Sequence, residues 1–167
     1  WGQSSLLPYG SSGNLDKRSR HANNLMIYYS MYIQINYVAV VAAAIAHMVV
    51  GFLWYGALFG KMWMSLSGLS EARLNELKAR GMGPTYGAMA VASLIMAYVL
   101  AHFAGVWRPV GIGGAVQLAF WAWLGFIATT MLGSVLWEGK SPKLYLLNSG
   151  YYLFSLAVMS IIIVFWS

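Results

Sequence analysis

The sequence predicts an all-α membrane protein, with four transmembrane helices in an antiparallel bundle and a short interfacial helix in the first loop. Three observations support this fold class. Of the 167 residues, 60% are apolar and only 8% are charged, whereas soluble domains average about 25% charged residues. Four apolar stretches each exceed the roughly 20 residues that a helix needs to cross a bilayer. All fourteen charged side chains lie outside those stretches.

The composition also excludes several classes of protein. With 8% charged residues, this chain has too few to cover the surface of a soluble enzyme domain. With 16% aromatic residues, it has too many for a disordered chain. Because cysteine is absent, disulfides, thiolate metal sites and cysteine nucleophiles are excluded. The net charge of +6 comes from basic residues in short connections, which is typical of membrane topology rather than nucleic-acid binding.

The four predicted spans form one transmembrane domain, residues 35–167. Each span is apolar on all sides, which is typical of a helix in a membrane rather than on the surface of a soluble protein. The alternating ten-residue segments of a β-barrel are absent. The predicted spans are residues 36–59, 84–106, 110–137 and 144–166.

The first connection is long enough to contain a further helix. Ser70 is suited to cap a helix over residues 71–80, and Gly81 is suited to end it. Leu74 and Leu77 share one face of that helix. We therefore expect a short helix at the headgroup level, with a solvated helical loop as the alternative.

Residues 1–34 differ in composition from the rest of the chain. This segment is rich in Ser, Gly and Asn and begins without methionine. It is predicted to be a flexible or processed N-terminal tail, such as the remnant of a targeting sequence.

The distribution of Lys and Arg predicts the orientation in the membrane. Six basic residues lie in the first and third connections, whereas Arg108 lies in the second. Even with Lys17, Arg18 and Arg20 of the tail counted on the side of Arg108, the positive-inside rule places both termini on the non-cytoplasmic side. The six basic residues are Lys61, Arg73, Lys78, Arg80, Lys140 and Lys143.

Several short stretches resemble one family. The stretch from Trp54 to Trp63, WYGALFGKMW, resembles the signature of a small bacterial membrane family, domain of unknown function 1761. GFIATT from Gly125, WEGK from Trp137 and LNSGY from Leu147 are similar to its second half. Members often have a proline soon after the Trp–Tyr pair, where this chain has Ala57. The resemblance implies four helices and a bacterial inner membrane, or an organellar inner membrane if the tail is a targeting remnant. It implies no activity.

Polar side chains within and beside the spans are the candidate functional residues. With about 1.5 Å of rise per residue, Tyr55, Thr130 and Asn148 lie near the cytoplasmic side. His47 lies midway, with Ser93 and Ser155, and two further candidates lie toward the opposite face. The full candidate set is His47, Tyr55, Lys61, His102, Gln117, Thr130 and Asn148. These side chains either form hydrogen bonds between helices or form a polar track for an ion or small solute.

Catalytic and cofactor sites are not predicted. His47 has no carboxylate within the spans to form a proton relay. His47 and His102 differ in depth by about 10 Å, too much for two axial ligands of one haem. No Ser/His/Asp set, HExxH motif or phosphate-binding loop is present in the sequence. Trp121 and Trp123 lie near the middle of the third span, and at least one is expected to contact protein or a bound lipid, quinone or pigment.

The predicted function is therefore that of a non-catalytic membrane protein, an accessory or structural subunit of a homo-oligomer or larger membrane complex. Its expected partners are membrane lipids and transmembrane subunits, including copies of itself. The main alternative is a small transporter or channel that uses His47, Gln117, Thr130 and Asn148. A third hypothesis places a lipid headgroup or small anion in a pocket of Tyr55, Lys61, Thr130 and Asn148.

Overall fold

A computed structural model describes residues 17–21, 23–24 and 33–166. The contacts divide the chain into two units, Trp1–Gln34 and Ile35–Ser167. In the first unit, residues 17–21 and 23–24 are helical. Most of the predicted tail, residues 1–34, lies outside the described residues, and its flexibility or processing stays a prediction.

Within residues 33–166 the chain forms six helices joined by short connections. Four of them are long and apolar enough to cross a membrane, as predicted from the sequence. Their antiparallel arrangement in a bilayer stays a prediction. The six helices are α1 (Tyr37–Leu58), α2 (Gly60–Ser67), α3 (Glu71–Ala79), α4 (Gly83–Trp107), α5 (Gly111–Leu136) and α6 (Pro142–Trp166).

Two of the long helices contain a π-helical segment that the sequence analysis did not predict. In α1, residues Tyr37–Phe52 are α-helical and Leu53–Leu58 are π-helical. In α5, a π-helical segment, Trp123–Ala128, lies between the α-helical parts Gly111–Ala122 and Thr129–Leu136. Such segments widen a helix locally and change which side chains face its neighbours.

The chain changes direction between α1 and α2 without a proline. The N–H of Phe59 donates to the carbonyl of Trp54 over 2.8 Å, the five-residue spacing of a π turn. The next residue is Gly60, where a Cβ atom would lie 2.5 Å from the carbonyl oxygen of Tyr55, so only glycine fits at this position. Glycine therefore permits at this point the close backbone contact that ends the first long helix.

Side-chain caps begin two of the helices. The amide oxygen of Asn36 accepts from the N–H groups of Val38 and Ala39, at 3.0 and 3.2 Å. Its amide nitrogen donates to the carbonyl of Trp166 at the end of α6, over 2.6 Å. The predicted cap of α3 is also present, because Ser70 Oγ accepts from the N–H of Arg73 over 3.2 Å. The location of α3 at a headgroup level stays a prediction.

The helix α6 is the centre of the second unit. It packs along α1 and α5 and also contacts α2, whereas α4 packs mainly on α1 and has few contacts with α5. Small residues allow these helices to approach closely. Of the 18-residue apolar stretch of each helix, 39% is buried in α6 but only 17% in α5. The alanines that are no more than 3% exposed are Ala39, Ala43 and Ala44 of α1, Ala97 of α4, and Ala115 and Ala119 of α5.

Candidate functional site

A hydrogen-bonded polar cluster lies between α1 and α6. In α1, His47 Nδ1 lies 2.5 Å from Ser155 Oγ, and His47 Nε2 lies 3.2 Å from the hydroxyl of Tyr151. Toward the end of α1, the hydroxyl of Tyr55 donates to Asn148 Oδ1 over 3.0 Å. We call these five residues the α1–α6 cluster. They include three of the predicted site residues, His47, Tyr55 and Asn148.

The hydrogen bonds of His47 fit a neutral imidazole. If Tyr151 donates its hydroxyl proton to Nε2, the ring proton lies on Nδ1 and is donated to Ser155 Oγ. His47 is 3% exposed, Tyr151 4% and Ser155 0%. Both ring nitrogens are therefore paired with side chains of the protein in a place that excludes water, and the ring needs no counter-ion.

Aromatic rings enclose the cluster toward the end of α1. The ring centroid of Tyr151 lies 5.0 Å from that of Tyr55 and 6.2 Å from that of Trp54. A Cβ atom at Gly51 would lie 3.0 Å from the Tyr151 hydroxyl oxygen, so the missing side chain of Gly51 makes room for this hydroxyl. The indole Nε1 of Trp54 is buried and has no hydrogen-bond partner among the described residues.

A second set of hydrogen bonds joins α5 to α6 beside the cluster. Trp123 Nε1 donates to the carbonyl of Ser149 over 2.8 Å and contacts Ser149 Oγ at 3.1 Å. The hydroxyl of Tyr145 donates to the carbonyl of Ala128 over 3.1 Å. Both π-helical segments therefore contact the same part of α6. The two candidate tryptophans differ: Trp123 contacts protein, whereas Trp121 is 51% exposed.

The threonines of α5 form hydrogen bonds within their own helix. The hydroxyl of Thr130 donates to the carbonyl of Phe126, and that of Thr129 to the carbonyl of Gly125, both over 2.8 Å. A π-helical segment leaves carbonyl groups without their usual partners four residues on, and side-chain hydroxyls can satisfy them. Both threonines are exposed. Thr130 thus has a local role in the structure that explains its presence in an apolar helix.

The structure does not bring the remaining candidates together. His102 is half-buried, and its Nδ1 lies 2.9 Å from the carbonyl of Tyr98 in its own helix. Gln117 is exposed on α5, and Lys61 is exposed at the start of α2. Neither Lys61 nor Thr130 forms a hydrogen bond with Tyr55 or Asn148 in the described part of the chain. Within residues 17–21, 23–24 and 33–166, no three His, Asp or Glu residues are grouped to hold a metal ion.

Two residues of the cluster were not among the predicted candidates: Ser155, which was noted only for its depth beside His47, and Tyr151. The signal that could have found them is their spacing in α6, where Asn148, Tyr151 and Ser155 follow one another at three and four residues. Residues at these spacings lie on one face of a helix. That face is the one that meets His47 and Tyr55.

Comparison with known families identifies the chain. The family model described as a protein of unknown function, DUF1761, matches residues 38–164. The chain belongs to the DUF1761 family. The match includes the whole α1–α6 cluster, and it confirms the resemblance seen in the Trp54–Trp63 and Leu147–Tyr151 stretches. No curated protein and no solved structure matches the chain.

Proposed function

We propose that this DUF1761 protein is a non-catalytic integral membrane protein that serves as an accessory or structural subunit of a homo-oligomer or larger membrane complex. Its host is a bacterial inner membrane, or an organellar inner membrane if residues 1–34 include a targeting remnant. Both termini lie on the non-cytoplasmic side, as the positive-inside rule indicates. The observation that carries the proposal is the outer face of α5, which we define as Gly113, Gln117, Phe120 and Leu124.

The outer face of α5 combines a polar group with room for another helix. Its four residues are exposed, and Gln117 has no hydrogen-bond partner among the described residues. An amide exposed to lipid gains about 1–2 kcal/mol in model peptides when it pairs with a polar group of another helix. A Cβ atom at Gly113 would meet nothing within 4 Å, so a second helix can approach closely there. These features favour a contact with another transmembrane helix.

The α1–α6 cluster supports a structural role rather than transport. A transporter or channel that used His47 would need a water-accessible path to the imidazole. Instead the imidazole is 3% exposed and its two nitrogens contact Ser155 and Tyr151. Hydrogen bonds of this kind stabilise contacts between membrane helices by about 0.6 kcal/mol on average. The cluster therefore supports the role of holding α1 against α6.

The mass of the particle purified from its native membrane tests the proposal. In native nanodiscs we expect a particle with more than one copy of the 18.4 kDa chain, or with co-purifying membrane subunits. Gln117→Leu should weaken the assembly. Val116→Leu, which introduces the same side chain beside the outer face without removing a polar group, should leave it intact. A wild-type chain that is monomeric and without other subunits would contradict the proposal.

A flux assay distinguishes the transport alternative. With the protein reconstituted in liposomes, we expect the same proton and small-ion flux for wild type and His47→Ala. A wild-type flux that is lost in His47→Ala but retained in His102→Ala would favour the transporter or channel instead.

A further inference from the structure

The outer face of α5 contains an amide whose surroundings are apolar. Gln117 is exposed, and its neighbours Val116 and Phe120 are 42% and 40% exposed. Phe120 lies three residues after Gln117 and Gly113 lies four residues before it, so all three share one side of the helix. Within the part of the chain that the structure describes, Gln117 has no hydrogen-bond partner. The amide therefore needs a partner outside this chain, because a polar group in hydrocarbon is costly unless it is paired.

Two glycines leave room for another helix at this face. Gly113 belongs to the outer face, and Gly125 is an exposed neighbour of Leu124. A Cβ atom at either glycine would meet nothing within 4 Å, so the packing of the described residues does not require a glycine at either position. In membrane helices, small residues allow the backbones of two helices to approach closely, and polar side chains then form hydrogen bonds across the contact.

The chain itself covers α5 less than the other long helices. Of the 18-residue apolar stretch of each helix, 17% is buried in α5, whereas 28% is buried in α1 and in α4. The side of α5 that faces α6 contains the buried residues Ala115, Leu118 and Ala119. The opposite side, with Gln117, has no neighbour within the described chain and is free to contact another molecule.

A second copy of the chain supplies the partner that Gln117 needs. All copies insert in the same direction, because the same basic connections orient each of them. The two-fold axis of a symmetric dimer therefore runs along the membrane normal, and each residue lies at the same depth as its counterpart. A glutamine amide contains both a carbonyl acceptor and N–H donors. Two Gln117 side chains can thus donate to each other, whereas a different subunit would need its own polar group at this depth.

We propose that two copies of this chain form a parallel dimer through the outer face of α5, in which the two Gln117 amides form hydrogen bonds with each other across the two-fold axis. Gly113 lies at the contact and allows the two backbones to approach closely. Phe120 and Leu124 extend the contact toward the middle of the membrane. This inference rests on the proposed function, because it names a second copy of the chain as the partner at the face already assigned to assembly.

Disulfide cross-linking in native membranes tests the identity of the partner. Because the chain has no cysteine, Phe120→Cys introduces a single thiol on the outer face of α5, and Ile45→Cys introduces one on α1 as the control. The two positions lie about 5 and 4 Å before the middle of their helices. With copper phenanthroline as oxidant, we expect about fivefold more cross-linked dimer for Phe120→Cys, because a disulfide requires Cα atoms within about 7 Å. Random collision would favour position 45, since Ile45 is 58% exposed and Phe120 is 40% exposed.

Substitutions of Gln117 test the amide pair itself. The association of copies that carry donor or acceptor fluorophores is measured by energy transfer in liposomes at several lipid dilutions. Gln117→Leu should lower the association constant about tenfold, which corresponds to about 1.4 kcal/mol. Gln117→Asn keeps an amide and should retain more of the association, whereas Val116→Leu removes no polar group and should leave it unchanged. Because both positions are exposed, these changes are not expected to prevent folding.

Three results would overturn the proposal. A cross-link at position 120 no stronger than the one at position 45 would mean that a second copy does not contact the outer face of α5. A native particle with other membrane subunits would then leave the accessory role intact, whereas a monomeric particle would contradict that role as well. A stronger cross-link at position 45 would place the contact between copies on α1. Association that Gln117→Leu leaves unchanged would show that the two amides do not pair.

Discussion

Two contacts between long apolar helices differ in how closely the helices pack. The α1–α6 interface is closed, whereas α4 and α5 have few contacts with each other and leave an open gap beside Phe103 and Phe126. The first is closed and contains hydrogen bonds between His47 and Ser155 and between Tyr55 and Asn148. The second has an apolar lining and stays open. In a bilayer, lipid tails replace apolar contacts between helices at little cost, so burial of apolar surface alone does not drive helices together. Polar pairs and small residues therefore decide which helix contacts close.

The largest effect is expected where a side chain would enter the closed interface. Gly51→Leu places a Cβ atom 3.0 Å from the hydroxyl oxygen of Tyr151 and should lower the unfolding free energy by about 1–3 kcal/mol through overpacking. Reversible unfolding in micelles measures the change. The matched control is Gly87→Leu in α4, where a Cβ atom meets nothing within 4 Å. Equal destabilisation by both changes would contradict the closed interface.

The next largest change in unfolding free energy is expected when the imidazole of His47 is removed. His47→Leu removes both hydrogen bonds of the ring and leaves the Ser155 hydroxyl buried without this partner, whereas the Tyr151 hydroxyl keeps the backbone carbonyl of position 47 at 3.4 Å. The loss should destabilise the fold by about 1–2 kcal/mol. A double-mutant cycle with Ser155→Ala should give a coupling energy of about 0.6 kcal/mol, and no more than about 1.7. His102→Leu is the control, because the hydrogen bond of His102 is to the carbonyl of Tyr98 in its own helix. Zero coupling would show that the pair does not hold the interface.

A smaller difference in unfolding free energy is expected between substitutions of Trp121 and Trp123, the two tryptophans near the middle of α5. Trp123→Phe removes the donor to Ser149 and should lower the unfolding free energy by about 0.6 kcal/mol beyond the loss of ring area. Trp121→Phe makes the same change at a side chain that is 51% exposed, and its effect on the unfolding free energy should be smaller. A larger effect for Trp121→Phe than for Trp123→Phe would reverse the assignment of the two faces of α5.

The smallest effect is predicted for Thr130→Val. The Thr130 hydroxyl donates to the carbonyl of Phe126 within its own helix and is exposed, so its loss should change the unfolding free energy by no more than about 0.5 kcal/mol. The same measurement in micelles tests this. A loss above about 1 kcal/mol would mean that Thr130 contributes to a contact between helices.

The elements of the fold were largely predictable, because a helix that crosses a membrane must consist almost entirely of uncharged residues. Charge is excluded from the hydrocarbon, so uncharged stretches define the long helices to within a few residues. The predicted span 110–137 corresponds to α5 at Gly111–Leu136. The cap at Ser70 was also predictable, because it depends on one side chain and its near neighbours. The family assignment followed from short motifs within these same stretches.

The site was less predictable, because the depth of a residue in the membrane does not determine which way its side chain points. Counting residues placed His102 and Gln117 at one level, but the rotation of each helix decides what a side chain meets. His102 turns back to the carbonyl of Tyr98, and Gln117 faces outward. The π-helical segments add to the difficulty, because Leu53–Leu58 and Trp123–Ala128 shift the faces that follow them. No periodicity in the apolar sequence indicates such segments.

The most direct test of the closed α1–α6 interface uses the absence of cysteine from the chain. Ser155→Cys places a single thiol beside His47, and Ser65→Cys places one on exposed α2. Both are exposed to a membrane-impermeant thiol reagent in open membrane fragments, and the reaction is followed by mass. We expect the thiol at position 65 to react and the thiol at position 155 to stay unreacted. Reaction of both at similar rates would show that water reaches the imidazole, which is incompatible with a closed α1–α6 interface.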